Sequence, residues 1–142
     1  MDRLGPIDAT FYHLDSETTP MHVGSVSLVE GPAPGVEDLV GLLDAKLPGV
    51  RRYRQRVRGV PFGLGRPVWV DDEDFDVRHH VRHVAAPPPG GPEQLRELVS
   101  RVVAQRLDLA KPLWEVWLVD GLDEQRWAII AKVHHCMVDG IA

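Results

Sequence analysis

Apolar and polar residues along the chain follow two different periods, which predict strands and helices in alternation. Residues 21–30 alternate as a half-buried strand does, and they end at the Gly- and Pro-rich residues 31–35. Over residues 36–47 the apolar side chains recur every three or four positions, which predicts a helix ended by Pro48 and Gly49. The same spacing over residues 92–107, after a proline suited to a helix N-terminus, predicts a second helix.

Four further segments bear on the predicted sheet. Residues 65–72 predict a short strand, whereas the pattern of residues 75–84 fits both a strand and a helix. Residues 113–122 and 126–135 predict two strands joined by a hairpin turn over 120–125, and the second is apolar on both faces, as a central strand is. The expected fold class is therefore α/β, a mixed β-sheet with flanking helices.

Composition narrows the class of protein. The chain has 142 residues, 44% of them hydrophobic and 26% charged, which suits one globular domain with its own core. Its net charge of -5 gives no general basic field, so we expect no nucleic-acid partner. Cys136 is the single cysteine and excludes an internal disulfide. With no signal-peptide pattern and no apolar run of about 20 residues, the expected location is cytoplasmic.

Two adjacent histidines, His134 and His135, stand at the end of the last predicted strand. Successive side chains of a strand point to opposite faces, so the pair is poorly placed to chelate one metal ion, and no metal site is predicted. One imidazole should face the interior and the other a cleft. Asp139 and Gly140 then suit a turn. A thiol mechanism through Cys136 is disfavoured because its side chain should diverge from that of its neighbour.

Four blocks in order carry a family resemblance: the HHxxxDG motif of residues 134–140 and the residues 8–26, 67–84 and 106–122. Together they resemble the bacterial wax ester synthase/diacylglycerol O-acyltransferase family, within the CoA-dependent acyltransferase superfamily. The resemblance implies the N-terminal half of a chloramphenicol acetyltransferase-like fold. Residues 1–142 would be an N-terminal acyltransferase domain that ends just after the motif, with the C-terminal half absent.

The resemblance also implies a reaction: transfer of a long-chain acyl group from acyl-CoA to diacylglycerol, to a long-chain alcohol, or to both. Acyl-CoA is then a substrate, and no cofactor is expected. His135 would be the general base, His134 a packed structural residue, Asp139 a loop-ordering carboxylate and Gly140 the turn residue of the motif. Expected partners are acyl-CoA, a lipid alcohol, and a complementary C-terminal half or a second copy. Peripheral contact with the inner membrane or lipid inclusions stays open.

Other interpretations stay open beside this one. The chain could belong to another HHxxxDG acyltransferase, condensation-type or polyketide-associated, or be a non-catalytic half-domain that binds a partner chain or lipid. The weak substrate-binding candidates Pro112, Leu113, Trp114 and Glu115 fit a substrate wall or, preferably, a buried strand start. Arginines in residues 51–59 fit an anion site or, preferably, a solvated edge strand. For His79, His80 and His83 a solvated face is favoured over a metal site.

Overall fold

The computed structural model, which describes residues 1–138, has a four-stranded mixed sheet with a helix packed on each face. Its strands are β1 (His22–Glu30), β4 (Val81–Ala85), β5 (Trp114–Asp120) and β6 (Arg126–His134), in the order β1-β6-β5-β4. β4 and β5 run parallel, whereas β6 pairs antiparallel with both of its neighbours. A separate antiparallel pair is formed by β2 (Gln55–Arg58) and β3 (Val68–Asp71). The predicted α/β class with a mixed sheet is confirmed.

Four α-helices accompany the strands: α1 (Pro6–Leu14), α2 (Val36–Lys46), the single turn α3 (Val77–His80) and α4 (Pro92–Ala104). α2 and α4 occupy the segments in which the apolar spacing predicted helices. The segment with two competing interpretations contains both elements, because α3 passes directly into β4. No helix within residues 1–138 combines the length and the apolar character needed to cross a bilayer.

The two faces of the sheet are covered by different helices. On one face Leu98 and Val102 of α4 pack over Ala128 and Ile130 of β6, and all four side chains are buried. On the other face Val40 of α2 packs into a cluster around the first residue of β5. β6 fully buries alternate residues and half-buries those between them, so it carries apolar side chains on both faces, with Lys132 and His134 as its buried polar residues.

α1 was not predicted, and it packs against the turn that follows β6. A proline at its N-terminus and Asp8 in its first turn are typical of a helix start. Leu4, just before the helix, is fully buried and donates its backbone N–H to Pro67 O at 2.9 Å. Ala9 and Leu4 join a core cluster that also includes Cys136. This cluster brings α1 against the chain that follows β6.

Candidate active site

β6 delivers the two adjacent histidines into different surroundings. His134 is the last residue of the strand and is fully buried, on the face that also carries Ile130 and Lys132. His135 begins a short 3₁₀ turn, His135–Met137, and is partly exposed. The different burial of the two side chains is the one that strand alternation predicts. Asp139 and Gly140 of the motif lie outside the described residues.

Both ring nitrogens of His134 are engaged. Its Nε2 lies 3.2 Å from Asp15 Oδ2, and the Cys136 backbone N–H donates to its Nδ1 at 3.1 Å. Because Nδ1 accepts a hydrogen bond, the proton of the neutral ring resides on Nε2 and points at the carboxylate. Burial lowers the pKa of His134, against the opposing effect of Asp15, so the neutral form is favoured.

Asp15, directly after α1, is the acceptor at the centre of this corner, with a side chain only 1% exposed. Its Oδ2 also accepts the Met21 backbone N–H at 3.0 Å. Arg106 forms an ion pair with Oδ1 and donates a second hydrogen bond, from Nη2 to Asp15 O, at 3.1 Å. Burial alone would raise the pKa of Asp15, but Met21 N–H and the Arg106 guanidinium outweigh it and lower that pKa.

His135 is held by its backbone and by one face of its ring. Its N–H donates to Met21 O at 2.8 Å. The imidazole stacks on Phe11 of α1, with ring centroids 4.9 Å apart and planes inclined by 26°. Within residues 1–138 neither ring nitrogen of His135 has a hydrogen-bond partner. Among the described residues, the ring nitrogens of His135 are therefore open to a bound molecule, whereas those of His134 are engaged.

Sequence reasoning missed Phe11, Asp15 and Arg106 as parts of this corner. All three lie within the blocks that carry the family resemblance, which was the one available signal. Their contacts could not be read from local patterns, because Asp15 is 119 residues from His134 and 91 residues from Arg106.

Cys136 lies next to His135, but its thiol is unsuited to nucleophilic attack. The residue is 4% exposed, and burial raises the pKa of its thiol to about 12. At neutral pH almost no thiolate is present, and the thiolate is the reactive form. The geometry therefore favours histidine chemistry over thiol chemistry at this corner.

The weak substrate-binding candidates lie inside the fold. Pro112, Leu113 and Trp114 are buried, and the Trp114 indole N–H donates to Tyr53 O at 2.8 Å. The Glu115 carboxylate lies 3.5 Å from the ammonium group of the buried Lys132. These contacts match the buried start of a strand.

The three histidines before β5 do not share one environment. His79 and His83 are exposed, but His80 is 2% exposed, so the solvated-face interpretation is wrong for His80. Its Nδ1 lies 2.8 Å from Trp114 O, and its ring stacks on the indole of the same residue at 4.4 Å. Among the residues that the structure describes, no group of three or more His, Cys, Asp or Glu side chains is arranged to hold a metal ion.

The arginine-rich segment uses its charges within the chain. Arg51–Arg54 forms a 3₁₀ turn and Gln55–Arg58 forms β2, so the segment is not extended throughout. Arg51 pairs with Asp71 at 3.0 Å, and the Arg52 guanidinium lies 4.4 Å from the ring centroid of Trp69. These contacts favour the structural interpretation over an anion site.

A mixed sheet with adjacent histidines at the end of its central strand defines the N-terminal half of a chloramphenicol acetyltransferase-like fold. The first condensation domain of the calcium-dependent antibiotic synthetase superposes with a TM-score of 0.75 at 18% identity, over 94% of this chain and 32% of that one. At that identity the likeness establishes the fold alone.

The sequence gives the narrower assignment. Residues 4–142 match the family model of the wax ester synthase/diacylglycerol acyltransferase catalytic domain, and the chain belongs to that family. It is 45% identical to the probable diacylglycerol O-acyltransferase tgs3 of Mycobacterium tuberculosis, over 98% of this chain and 52% of that protein. For the probable diacylglycerol O-acyltransferase tgs1 of the same organism the identity is 47%, over 100% and 31%.

A solved structure within the same family agrees. The wax ester synthase/diacylglycerol acyltransferase from Marinobacter aquaeolei VT8 superposes with a TM-score of 0.83 at 38% identity, over 98% of this chain and 34% of that one. The chain thus spans about a third to a half of the length of these relatives.

Proposed function

We propose that this chain is the histidine-bearing N-terminal domain of an acyl-CoA-dependent O-acyltransferase that acts on diacylglycerol, on long-chain alcohols, or on both. The names of its relatives supply the reaction class. The observation that carries the proposal is the contrast between the two imidazoles: both nitrogens of His134 are bonded, whereas those of His135 are free within the described residues.

In the proposed reaction His135 is the general base. An alcohol is a weak nucleophile at neutral pH, and an imidazole titrates close enough to that pH to accept its proton. As the alcohol oxygen bonds to the thioester carbon, His135 takes the hydroxyl proton. The carbon–sulfur bond then breaks, and the imidazolium returns the proton to the departing CoA thiolate. The products are an ester and free CoA, with no covalent enzyme intermediate.

The remaining motif residues have supporting roles in this proposal. His134 packs and fixes the strand end, Asp139 orders the loop, and Gly140 permits the turn. Acyl-CoA is the donor, and no cofactor enters the reaction. A site that excludes water and aligns thioester with alcohol requires a second wall, which we assign to the region of the relatives that lies outside the residues matched here.

The test is acceptor-dependent release of CoA from palmitoyl-CoA, with a diacylglycerol or a long-chain alcohol as acceptor. It uses the chain alone and the chain mixed with a polypeptide equivalent to the remaining part of a relative. His135→Ala should lower the rate by about 10²–10⁴-fold. His79→Ala, which removes an exposed histidine, is the matched control. Turnover that survives His135→Ala unchanged would contradict the proposal.

A second candidate is a non-catalytic domain that binds a partner chain. β1 is an edge strand, and its Val26 and Leu28 are 44% and 48% exposed. Unpaired edges with apolar side chains favour association with another chain. If the chain binds such a partner tightly while the mixture shows no acceptor-dependent turnover, this candidate replaces the enzyme. A related open alternative is an acyltransferase with a different acceptor, which an amine acceptor in the same assay identifies.

A further inference from the structure

We propose that Asp15 is a positioning residue for the acyl transfer, acting through His134 and Met21 to fix His135. The inference rests on the proposed function, because it assigns to His135 the proton transfer that Asp15 supports. Asp15 itself contacts no reacting atom in this scheme.

One carboxylate oxygen connects the two histidines. Oδ2 of Asp15 accepts the Nε2–H of His134 at 3.2 Å and the N–H of Met21 at 3.0 Å. The carbonyl of that same Met21 accepts the N–H of His135 at 2.8 Å. Asp15 therefore holds His134 through the ring and His135 through the backbone. A displacement of this carboxylate shifts both.

These contacts require an ionised carboxylate, and a side chain of similar shape cannot replace it. Met21 N–H, His134 Nε2–H and Arg106 Nε–H are all donors, and a carboxylate is an acceptor at both oxygens. Asparagine would turn its NH₂ group toward at least one of these donors in either orientation. Since the Asp15 side chain is 1% exposed, water cannot easily compensate for that mismatch.

Arg106 keeps the carboxylate charged in this buried position. Arg106 lies shortly after the end of α4. Its Nε–H donates to Asp15 Oδ1, and its Nη2–H donates to Asp15 O. Burial acts to raise the pKa of Asp15, and the guanidinium is one of the groups that bring it below its ordinary value. Without Arg106, protonation of Asp15 on acidification would place a donor against the donors of His134 and Met21.

The ring of His135 depends on the same piece of chain. Its stacking partner Phe11 lies on α1, which ends at Leu14, the residue before Asp15. The C-terminal end of α1 therefore positions two groups that hold His135. Phe11 stacks on its ring, and Asp15 holds its backbone through Met21. An error of about 1 Å in such a group costs on the order of 10²-fold in rate.

The first test is Asp15→Asn, with Asp71→Asn as a control that also removes a carboxylate paired with an arginine, at an exposed position. The assay uses whichever preparation shows turnover, the chain alone or the mixture. In it, Asp15→Asn should lower kcat by about 10²-fold, because the proposed base His135 is misplaced. KM should stay unchanged, since no substrate contact is lost. Asp71→Asn should leave both parameters at the wild-type value.

A second variant guards against misfolding of the first. The Arg106 side chain is 33% exposed, so Arg106→Gln should leave the fold intact while raising the pKa of Asp15. The kcat of Arg106→Gln should then fall on acidification at a pH where the wild type is unaffected, and recover at higher pH. Arg51→Gln is its control. A purely structural loss would lower kcat without moving its pH profile.

A readout without turnover separates this inference from the proposed function. Nitrogen-15 NMR of the labelled chain should show His134 as the Nε2–H tautomer, and Arg106→Gln should alter that signal as Asp15 is protonated. Wild-type His134 with its proton on Nδ1, or an Arg106→Gln kcat profile that overlays that of the wild type, would overturn the role of Asp15. Turnover that survives His135→Ala would instead refute the proposed function, whatever the NMR result.

Discussion

Lys132 is a buried cation whose removal should destabilise the domain more than that of any surface lysine. It lies on β6, two residues before His134 on the same face, and its side chain is 0% exposed. Its ammonium group lies 3.5 Å from Glu115 Oε2 and donates to Gln105 O at the end of α4. Burial lowers the pKa of Lys132 and Glu115 opposes that effect. The perturbation we consider is Lys132→Met, which keeps the length and loses the charge.

The expected loss in the free energy of unfolding follows from the partners that Glu115 retains in Lys132→Met. Within residues 1–138, the Glu115 side chain, 12% exposed, would keep the Trp117 indole N–H at 3.0 Å and Arg82 at 3.9 Å as its partners. Breaking a buried pair from one side costs about 3–5 kcal/mol. Since two weaker partners remain, we expect about 3 kcal/mol, a large part of a typical stability of about 5–15 kcal/mol.

The assay is urea unfolding of four proteins: wild type, Lys132→Met, Glu115→Gln and the double variant. The double variant should lose less than the sum of the single losses, by about 1–3 kcal/mol, because the pair is coupled. Lys46→Met at the exposed end of α2 is the control, within about 0.5 kcal/mol of the wild type. A Lys132→Met variant as stable as this control would refute the reasoning.

Three further outcomes are expected. The Cys136 thiol, with a pKa raised to about 12 by burial, should resist alkylation at pH 8 in the native chain and react once the chain unfolds in urea; rapid native labelling would contradict its burial. His80 has a pKa lowered by burial, so its contribution to the free energy of unfolding is complete above its ordinary value of 6.5 and declines as the pH falls toward its folded value. His80→Asn should flatten that decline in urea titrations, and an unchanged slope would show that His80 is not its source. Val26→Lys with Leu28→Lys should reduce self-association of the edge strand in sedimentation experiments, whereas an unaltered distribution would place the contact elsewhere.

Local periodicity was sufficient to predict the helices and strands whose buried residues recur at one regular spacing. α4 buries one face, which includes Leu98 and Val102, and β6 buries alternate residues. The apolar residues of each element therefore recur with a single period. α1 was not predicted, because Ile7, Ala9 and Phe11 alternate in sequence and of the α1 residues only Ala9 is buried. Its helical state depends on its packing against the cluster around Cys136, which involves residues distant in sequence.

The segment with two competing patterns shows the same limit at a single residue. His80 ends α3, and its ring is inserted between Trp114 and Phe75, with centroid distances of 4.4 and 5.4 Å. That insertion, together with its bond to the Trp114 carbonyl, buries a side chain that composition alone assigns to the surface. Trp114 is 34 residues from His80 in sequence, so the pattern within residues 75–84 could not reveal this contact.

Two buried charge clusters support the end of β6, and their consequences are separable. Lys132 with Glu115 fixes the strand beneath the end of α4, whereas Asp15 with Arg106 fixes the ring of His134 and, through Met21, the backbone of His135. Loss of the first cluster should therefore lower the free energy of unfolding without changing the tautomer of His134 in the folded fraction. Loss of the second should change that tautomer and the turnover of a still folded protein. If Lys132→Met altered the His134 tautomer as strongly as Asp15→Asn, the strand end would respond as one unit, and the specific role of Asp15 would reduce to general packing.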